Sequence, residues 1–306
     1  MQNVKVIKAH IGIFSACLIW GLMSPIGKDA MNNGISGIDM VFFRVVGAAI
    51  LFWIASLFTK SEKVEKHDLL MLALAALLGL VCNQCCFTIG LSLTSPINSS
   101  IITTTLPIIT MLLAAIFLHE PITSKKVIGI FCGAIGAVML ILGSASAVSS
   151  KVGDIRGDML CLISQFSFAC YLSIFKHLIQ KYNIITFEKW MFLFGAIMII
   201  PFSFHNIQTL PWTEISFKTW SEIAFVVVGC TFFAYILMMI GQKVLRPTVI
   251  SMYNYVQPIV ACLVSVIAGL GILGWRQSFA IILVFIGVYL VTKSKSRNDL
   301  QKEESK

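Results

Sequence analysis

The sequence contains little charge. Asp, Glu, Lys and Arg make up 12% of its 306 residues and hydrophobic residues 58%, whereas a soluble domain is about 25% charged. A water-soluble core of this length cannot cover so much apolar surface, but a bilayer can. The composition therefore excludes a soluble domain. The pI near 9.1 does not indicate nucleic-acid binding, because the basic residues lie in short connections between apolar segments, where they set membrane orientation.

The sequence also lacks the motifs of the common enzyme classes. It has no Gly-rich phosphate-binding loop, no HExxH pair and no GxSxG nucleophile motif. His119, His177 and His205 all lie at the ends of apolar segments, where an interfacial position explains them. We therefore predict no catalytic residues, no enzyme activity and no cofactor.

Acidic residues are missing from the centres of the apolar segments. Those nearest to a segment, Glu188 among them, lie in connections or within about a turn of a segment end. Proton- and cation-coupled carriers commonly place an acid at the centre of a span. This pattern argues against exchange of organic cations for protons through a central acid, and it leaves other routes of coupling open.

All nine cysteines fall inside apolar segments, which is typical of buried thiols and gives no sign of a disulfide framework. Cys82, Cys85 and Cys86 share one helical face, as the ligands of a soft metal would. No His or carboxylate accompanies them in that segment. We predict no metal site, and the sequence leaves the role of this cluster open.

Long apolar segments are the main feature that the sequence does contain. Most have about 19 to 25 residues, and about 20 helical residues cross a hydrocarbon core of roughly 30 Å. They predict an all-α integral membrane protein. The ten predicted transmembrane helices are 9–28, 38–58, 68–91, 96–118, 124–144, 157–176, 186–205, 218–242, 247–271 and 275–293.

Basic residues are distributed unequally between the two sides that ten spans create. With the N-terminus inside, 17 of the 23 Lys and Arg residues are cytoplasmic and five are outside, while Arg44 lies within a span. This bias follows the positive-inside rule. We therefore predict a multi-pass protein of the cytoplasmic membrane with both termini in the cytoplasm.

Helix-breaking residues recur at a fixed offset of 151 positions, and each pair occupies the same place within its apolar segment. Internal duplication in a very hydrophobic chain is typical of secondary transporters. A second set of matches, Lys28 with Lys176 and Gly47 with Gly195, has an offset of 148. The pairs at 151 are Gly90 and Gly241, Pro96 and Pro247, Pro107 and Pro258, and Gly136 and Gly287.

Each repeat contains five spans, and five is an odd number. The second repeat must therefore enter the membrane from the opposite side, which makes the repeats inverted. We predict a first five-helix repeat at 1–144, a linker at 145–156, a second repeat at 157–293 and a charged cytoplasmic tail at 294–306.

Neutral polar and aromatic residues stand inside the spans, several of them at repeated positions. An amide without a partner is costly in hydrocarbon, so these groups face protein or a wet cavity. Pro107 and Pro258 each free a backbone carbonyl that would line the same cavity. Hydrogen bonds that merely join helices are the alternative explanation. The candidate substrate-binding residues are Trp20, Asn83, Gln84, Asn98, Tyr171, Tyr235, Tyr253, Asn254 and Gln257.

Arg44 is the only basic residue clearly within a span, about two turns from its outer end. Its side chain has two open roles. It either extends to the interface or bonds carbonyls at a helix end, or it contacts an anionic group of the substrate.

Several motifs resemble those of the EamA-type drug/metabolite transporter superfamily. The run Trp20–Lys28 resembles the family's "WG…K" motif, and Phe43-Arg44 resembles its aromatic–Arg pair. Leu106-Pro107, followed by Glu120-Pro121-Ile122-Thr123 and a series of glycines, is similar to its most specific signature. The second copy departs from this pattern, because Gly271 stands at the position equivalent to Glu120. Glu120 and Arg44 are therefore expected to position helices.

The resemblance covers nearly the whole chain and implies alternating access by two inverted five-helix repeats around a central cavity. It implies transport of small metabolites, often amino acids and frequently outward, with a small-molecule substrate and the bilayer as partners. A carrier of lipids or organic cations and a non-transporting membrane scaffold are the alternatives. The sequence leaves open the substrate, the direction, proton coupling and whether the protein is a monomer or a homodimer.

Overall fold

The computed structural model describes residues 2–94, 96–144, 154–267 and 274–295, and every regular element in these ranges is helical. Two elements are π-helices, which we name π1 and π2. In the first half the elements are α1 (Gln2–Asn32), α2 (Gly37–Ser56), α3 (Lys66–Ala76), π1 (Leu77–Cys82), α4 (Asn83–Leu93), α5 (Pro96–Thr103), α6 (Leu106–Leu118) and α7 (Ser124–Ser144).

The second half repeats this order with one additional short helix, α9. Its elements are α8 (Ile155–Ile174), α9 (Lys176–Lys181), α10 (Ile184–Thr209), α11 (Phe217–Ala224), π2 (Phe225–Phe233), α12 (Ala234–Val244), α13 (Pro247–Met252), α14 (Val256–Ile267) and α15 (Trp275–Thr292).

Within the described residues, nine helical segments are long and apolar enough to cross a membrane. They correspond to nine of the ten predicted spans and confirm an all-helical membrane protein. The remaining prediction, 247–271, corresponds to α13 and α14 and extends into residues 268–273, which lie outside the described residues. Most of the predicted linker and all but the first two residues of the predicted tail also lie outside them.

Helix packing follows the inverted repeat. A Cβ added at Gly129 of α7 would lie 2.8 Å from the carbonyl oxygen of Gly287 in α15, and one added at Gly136 would lie 2.6 Å from that of Ala280. At the offset of 151, Ala280 is the counterpart of Gly129, and Gly287 is the counterpart of Gly136. The same contact therefore occurs twice with the halves exchanged, as expected for two units related by a twofold axis.

The contact between α4 and α8 recurs in the same way between α12 and α1. A Cβ on Gly90 would lie 2.9 Å from the carbonyl oxygen of Gly157, and a Cβ on Gly241 would lie 3.3 Å from that of Ala9. Because glycine has no Cβ, the backbones of these helices approach more closely than any other residue would allow. Small residues commonly have this role at the interfaces of membrane helices. The repeated glycines thus mark where one half packs on the other.

Both halves interrupt a helix just before the repeated proline. A turn at Thr104 and Thr105 separates α5 from α6, and a short 3₁₀ segment at Tyr253–Tyr255 separates α13 from α14. Proline removes a helical hydrogen bond one turn upstream, which explains the common position of the breaks. Pro107 is buried in the first turn of α6, and Pro258 is half-buried in the first turn of α14.

The two π-helices differ from the prediction, since the periodicity of 68–91 and 218–242 indicates uninterrupted helices. π1 and π2 occupy equivalent places, because residues 77–82 map onto 228–233 at the offset of 151. A π-turn widens the helix by about one residue and is frequent at functional sites. Each π-helix changes the direction of the side chains that follow it, so both shape the interface between the halves.

Candidate functional site

A small cavity lies between the two halves, next to both π-helices. The space between its lining atoms is about 190 Å³, including the part that is open to the outside. Polar and apolar side chains from both repeats line it, and they come from α2, π1, α4, α10, π2 and α12. The lining residues are Val41, Arg44, Val45, Leu80, Gln84, Phe192, Thr231 and Tyr235.

Arg44 is the charged centre of this cavity. Its side chain is 6% exposed. Nε donates to Thr231 Oγ1 at 3.1 Å, and Nη1 donates to Gln84 Oε1 at 2.8 Å. Both acceptors are neutral, and in the described ranges no carboxylate forms an ion pair with Arg44. The guanidinium therefore points inward, not toward the interface, and keeps its charge uncompensated.

The two π-helices position the acceptors of Arg44. Thr231 lies inside π2, and its hydroxyl also donates to the carbonyl of Val226 at 2.8 Å, five residues earlier in the widened turn. Gln84 is the second residue after the end of π1, and its counterpart Tyr235 is the second residue after the end of π2. The repeat thus brings one amide and one phenol to the same cavity from opposite halves.

Aromatic side chains enclose the cavity beside Tyr235. The ring of Phe192 meets the ring of Tyr235 edge-on at 5.0 Å, and Trp20 meets it edge-on at 5.9 Å. Trp20 Nε1 donates to the carbonyl of Cys230 at 2.8 Å, inside π2. Trp20 is thereby held in place by a backbone oxygen that the π-helix exposes.

A second cluster lies at the break between α13 and α14. Gln257 Nε2 donates to Asn254 Oδ1 at 2.8 Å, which agrees with their predicted position on one helix face. The Tyr253 hydroxyl is 2.8 Å from His10 Nδ1 of α1. His10 and Tyr253 are the polar members of a largely apolar groove of about 570 Å³, lined by His10, Ile11, Phe14, Tyr253, Val256, Phe285 and Val288.

The comparisons with known proteins agree with this architecture. The model of the EamA-like transporter family matches residues 7–142 and again 155–293, which is nearly the whole chain in two copies. The chain belongs to the EamA-like transporter family. It is a multi-pass membrane protein of a transporter family, with two matched units at the positions of the two halves.

Several EamA-like relatives are similar along most of their length. Uncharacterized transporter YyaM of Bacillus subtilis is 24% identical over 88% of this chain and 84% of its own. An uncharacterized transporter of Archaeoglobus fulgidus is 26% identical over 90% and 95%, and a WAT1-related protein of Arabidopsis thaliana is 22% identical over 94% and 84%. A crystal structure at 17% identity has a TM-score of 0.74 over 93% of this chain and 96% of that one, which shows the same fold.

The predicted site residues of this EamA-like chain do not all meet in one place. Trp20, Arg44, Gln84 and Tyr235 converge at the central cavity, whereas Tyr253, Asn254 and Gln257 lie at the second cluster. The helix containing Asn98 is described, but the side chain of Asn98 lies outside the described residues.

Asn83 and Tyr171 contact neighbouring helices. The amide of Asn83 donates to the carbonyl and hydroxyl oxygens of Ser164 at 3.1 and 3.0 Å. Tyr171 is fully buried, and its hydroxyl donates to Gln242 Oε1 at 3.3 Å. Its ring packs so closely on π1 that a Cβ on Gly79 would lie 2.8 Å from it. Neither residue lines the central cavity, so their assignment to substrate binding stays a prediction.

Glu120 sits in a buried ion pair at the predicted cytoplasmic ends of the helices. Lys126 Nζ donates to Glu120 Oε2 at 2.9 Å, and both side chains are almost fully buried. The Thr248 hydroxyl, from the other half, donates to the same oxygen at 3.0 Å. The turn begins at His119, which adopts a left-handed conformation with φ of 52°. This geometry agrees with a role for Glu120 in positioning helices.

Three polar residues of the site do not stand out in the sequence. Thr231 is one hydroxyl in the otherwise apolar π2, and His10 follows Lys8 near the start of α1, so only the contacts with Arg44 and Tyr253 make the two residues notable. The place of Glu188 near a segment end indicates an interfacial acid, but Glu188 is fully buried inside the span Ile184–Thr209.

Among the described residues, no group of three His, Cys, Asp or Glu side chains has a metal-binding arrangement. The prediction of no metal stays a prediction.

Proposed function

We propose that this EamA-like protein is a secondary transporter that moves small polar metabolites, amino acids or related zwitterionic or neutral compounds, out of the cell by alternating access. The observation that carries the proposal is the buried Arg44, which has only neutral partners in a cavity between two inverted halves. A buried guanidinium is costly unless an anion compensates it. The carboxylate of an amino acid has the geometry to do so through two parallel hydrogen bonds.

The rest of the cavity suits a substrate that carries one carboxylate and a modest side chain. Gln84 Oε1 and Thr231 Oγ1 accept from Arg44, and they could instead accept from the ammonium group of a zwitterionic substrate. Phe192 and Tyr235 supply the aromatic walls that small-molecule sites commonly have, and Trp20 packs against Tyr235. The space in this structure is small for such a substrate, and it would enlarge as one end of the helices opens.

The orientation proposed is the one that the basic residues favour, with both termini in the cytoplasm and the protein in the cytoplasmic membrane. Reporter fusions test it. A fluorescent protein that folds only in the cytoplasm should be bright when fused to the C-terminus, whereas an exported phosphatase fused there should be inactive. A dark fluorescent fusion together with an active phosphatase fusion would place the C-terminus outside the cell and reverse the proposed orientation.

A counterflow screen tests the proposed function. Purified protein in liposomes is preloaded in turn with amino acids, purines, small carboxylates and organic cations, with and without a proton gradient, and exchange of labelled compound is followed. We expect exchange of amino acids. Tyr235→Phe should reduce it roughly tenfold, since a lost buried hydrogen bond costs about 1 kcal/mol or somewhat more. The matched control is Tyr289→Phe, because Tyr289 is 62% exposed on the outer face of α15.

The groove beside His10 and Tyr253 favours one alternative, a carrier of lipids or of organic cations with long apolar groups. Such a carrier needs a lateral opening lined by apolar side chains, and this groove has that character. Exchange of labelled phospholipid or of organic cations, with none of amino acids, would replace the proposed function by this alternative.

A further inference from the structure

Glu188 is an acid buried between the helices near the start of α10, without a partner among the described residues. α10 begins after Asn183, whose side chain caps it, and Glu188 stands about 6 Å further along the helix axis. Its side chain is 0% exposed. Neither carboxyl oxygen has a hydrogen-bond partner among the described residues. A bare carboxylate in such a place is very costly, so the group is held as the neutral acid.

We propose that Glu188 is the proton-binding site that couples transport by this protein to the proton gradient. The inference rests on the proposed function and adds the identity of the coupling ion. In the closed form the carboxyl carries its proton. When the helices open to water on one side, one O–H bond breaks and the proton leaves as hydronium, and the reverse step restores the acid from the other side. One proton crosses the membrane together with each substrate, and no other bond changes.

The surroundings of Glu188 offer no compensating cation among the described residues. α10 packs mainly against α2, α3, π1 and α12. Tyr171 of α8 and Tyr235 of α12 are the described titratable groups that sense a charge on Glu188. Lys66 of α3 is exposed. The other charged groups on the packed helices make their bonds elsewhere: Asp39 with Ser36, Arg44 with Gln84 and Thr231, Asp68 with Lys181 and His67, and Lys243 with the carbonyl of Tyr182.

Glu188 is connected to the substrate cavity through two routes. Phe192 lies one turn further along α10, lines the cavity and meets Tyr235 edge-on. Tyr235 itself lies within electrostatic range of Glu188. A negative charge on Glu188 would therefore act on the cavity in which Arg44 is the only lining cation. An ionised Glu188 and a substrate carboxylate compete for the same positive charge, so the carboxylate binds best while Glu188 holds its proton, which is the reciprocal coupling that cotransport requires.

A polar route also leads from the neighbourhood of Glu188 toward the predicted cytoplasmic end. Tyr171 donates to Gln242, whose amide nitrogen is buried without a partner. Lys176 Nζ donates to the carbonyls of Gln242 and, at 2.6 Å, of Leu245. Buried polar groups that lack partners are where water enters when helices separate. The proton would leave along this side.

The first test asks whether Glu188 carries a proton, and it needs no substrate. Thermal unfolding in detergent is measured for wild type and Glu188→Gln between pH 5 and 8. The unfolded carboxyl ionises above about pH 4.3, while the native one keeps its proton. Unfolding then releases a proton, and its equilibrium constant should rise about tenfold per pH unit in wild type relative to the variant. Glu214→Gln, at an exposed Glu, is the matched control. Parallel curves for wild type and Glu188→Gln would overturn the proposal.

The second test asks whether that proton is coupled to transport. The probe is an equimolar mixture of labelled amino acids in proteoliposomes. A gradient of two pH units should drive accumulation of up to about 100-fold at one proton per molecule. Glu188→Gln imitates the protonated acid, so we expect counterflow within about twofold of wild type and no gradient-driven accumulation.

Two results would overturn coupling through Glu188. The first is a variant that still accumulates the mixture like wild type, and the second is a folded variant that loses counterflow as well. Failure of the proposed function gives a different result, because wild type itself would then show no amino-acid counterflow while the unfolding test still decides whether Glu188 binds a proton.

Discussion

The planar guanidinium of Arg44 is held between the helices by hydrogen bonds to two neutral acceptors, Thr231 and Gln84. Lysine provides the same charge but as a compact point, and it cannot make two parallel bonds to one carboxylate. If the carboxylate of the substrate binds between the two arms of the guanidinium, shape matters as well as charge. Arg44 is then the residue at which a conservative substitution separates substrate binding from helix packing.

Arg44→Lys should therefore raise the half-saturation concentration for amino-acid counterflow by about tenfold or more, since a bidentate charge-assisted pair is worth well over 1 kcal/mol. Concentration series of counterflow measure it. Lys189→Arg is the matched control, because Lys189 lies over the ring of Trp53, away from the cavity. An unchanged half-saturation concentration would restrict Arg44 to a structural role.

Lys176 is a half-buried cation at the start of α9, just beyond the span Ile155–Ile174. Burial lowers its pKa to about 8, below the usual value near 10.4. Below pH 8 the lysine is charged in both the folded and the unfolded state, so the full cost of burying the ammonium is present. Between about pH 8 and 10.4 the native lysine is neutral and the unfolded one still charged, so unfolding takes up a proton. Stability should rise with pH in that window.

Lys176→Met removes this dependence. The melting temperature of wild type relative to the variant should increase from pH 8 to 10 when both are measured in the same detergent. Lys125→Met, at an exposed lysine in the first turn of α7, is the matched control and should follow wild type. A constant difference between wild type and Lys176→Met would mean that Lys176 is not desolvated in the folded protein.

At the scale of the helix, glycine decides how closely α7 and α15 approach. A Cβ on Gly287 would lie 2.5 Å from the carbonyl oxygen of Gly129, and backbone at that distance cannot move aside cheaply. Gly287→Ala should lower the free energy of unfolding by about 1–3 kcal/mol, as overpacking does. Thermal unfolding in detergent measures the loss.

Gly27→Ala is the matched control for this prediction. Gly27 is a helical glycine, and no atom lies within 4 Å of the position that the methyl group of an alanine would occupy there. Alanine at this position should therefore be neutral or stabilise by up to about 1 kcal/mol. Equal effects of the two substitutions would show that close approach of α7 and α15 does not contribute to stability.

The elements also show what the sequence can and cannot predict. Length and hydropathy predicted nine spans that the structure confirms, and the fixed offset predicted the inverted repeat that the helix packing follows. The π-helices could not be predicted, because a single wide turn leaves the apolar composition unchanged. The burial of Glu188 was missed for a related reason. A residue near the end of an apolar segment lies at the membrane interface only if no neighbouring helix covers it. Here α10 packs against α2 and α3.

The site shows the same limit. Gln84 and Tyr235 were predicted from their register in the repeat, and they do meet at the cavity. Asn254 and Gln257 were predicted from their spacing, and they do share a face. The separation of the candidates into two clusters depends on how helices from opposite halves cross, which local periodicity does not contain.

For the whole molecule, inverted repeats imply that the two ends of the cavity open alternately by equivalent movements of the halves. The buried trio of Glu120, Lys126 and Thr248 breaks this equivalence. Two members belong to the first half and one to the second, so the bond from Thr248 to Glu120 must break when the halves separate at that end. In the second half, Gly271 occupies the position equivalent to Glu120 and lies outside the described residues. The sequence alone shows that the second half has no carboxylate at that position.

Thr248→Val removes the cross-half bond and preserves the volume and the ion pair within the first half. Loss of a hydrogen bond to a charged acceptor costs about 1.5–3 kcal/mol, which would shift the equilibrium between closed and open forms of this end by about tenfold or more. Spin labels at His119→Cys and Ser294→Cys, in a background with the native cysteines replaced, report the distance across it. The long-distance population should increase in Thr248→Val. Thr209→Val is the matched control, because the Thr209 hydroxyl bonds only carbonyls of its own helix. If both variants give the distance distribution of the parent, the trio joins helices without controlling the opening, and the asymmetry between the halves has no role in the direction of transport.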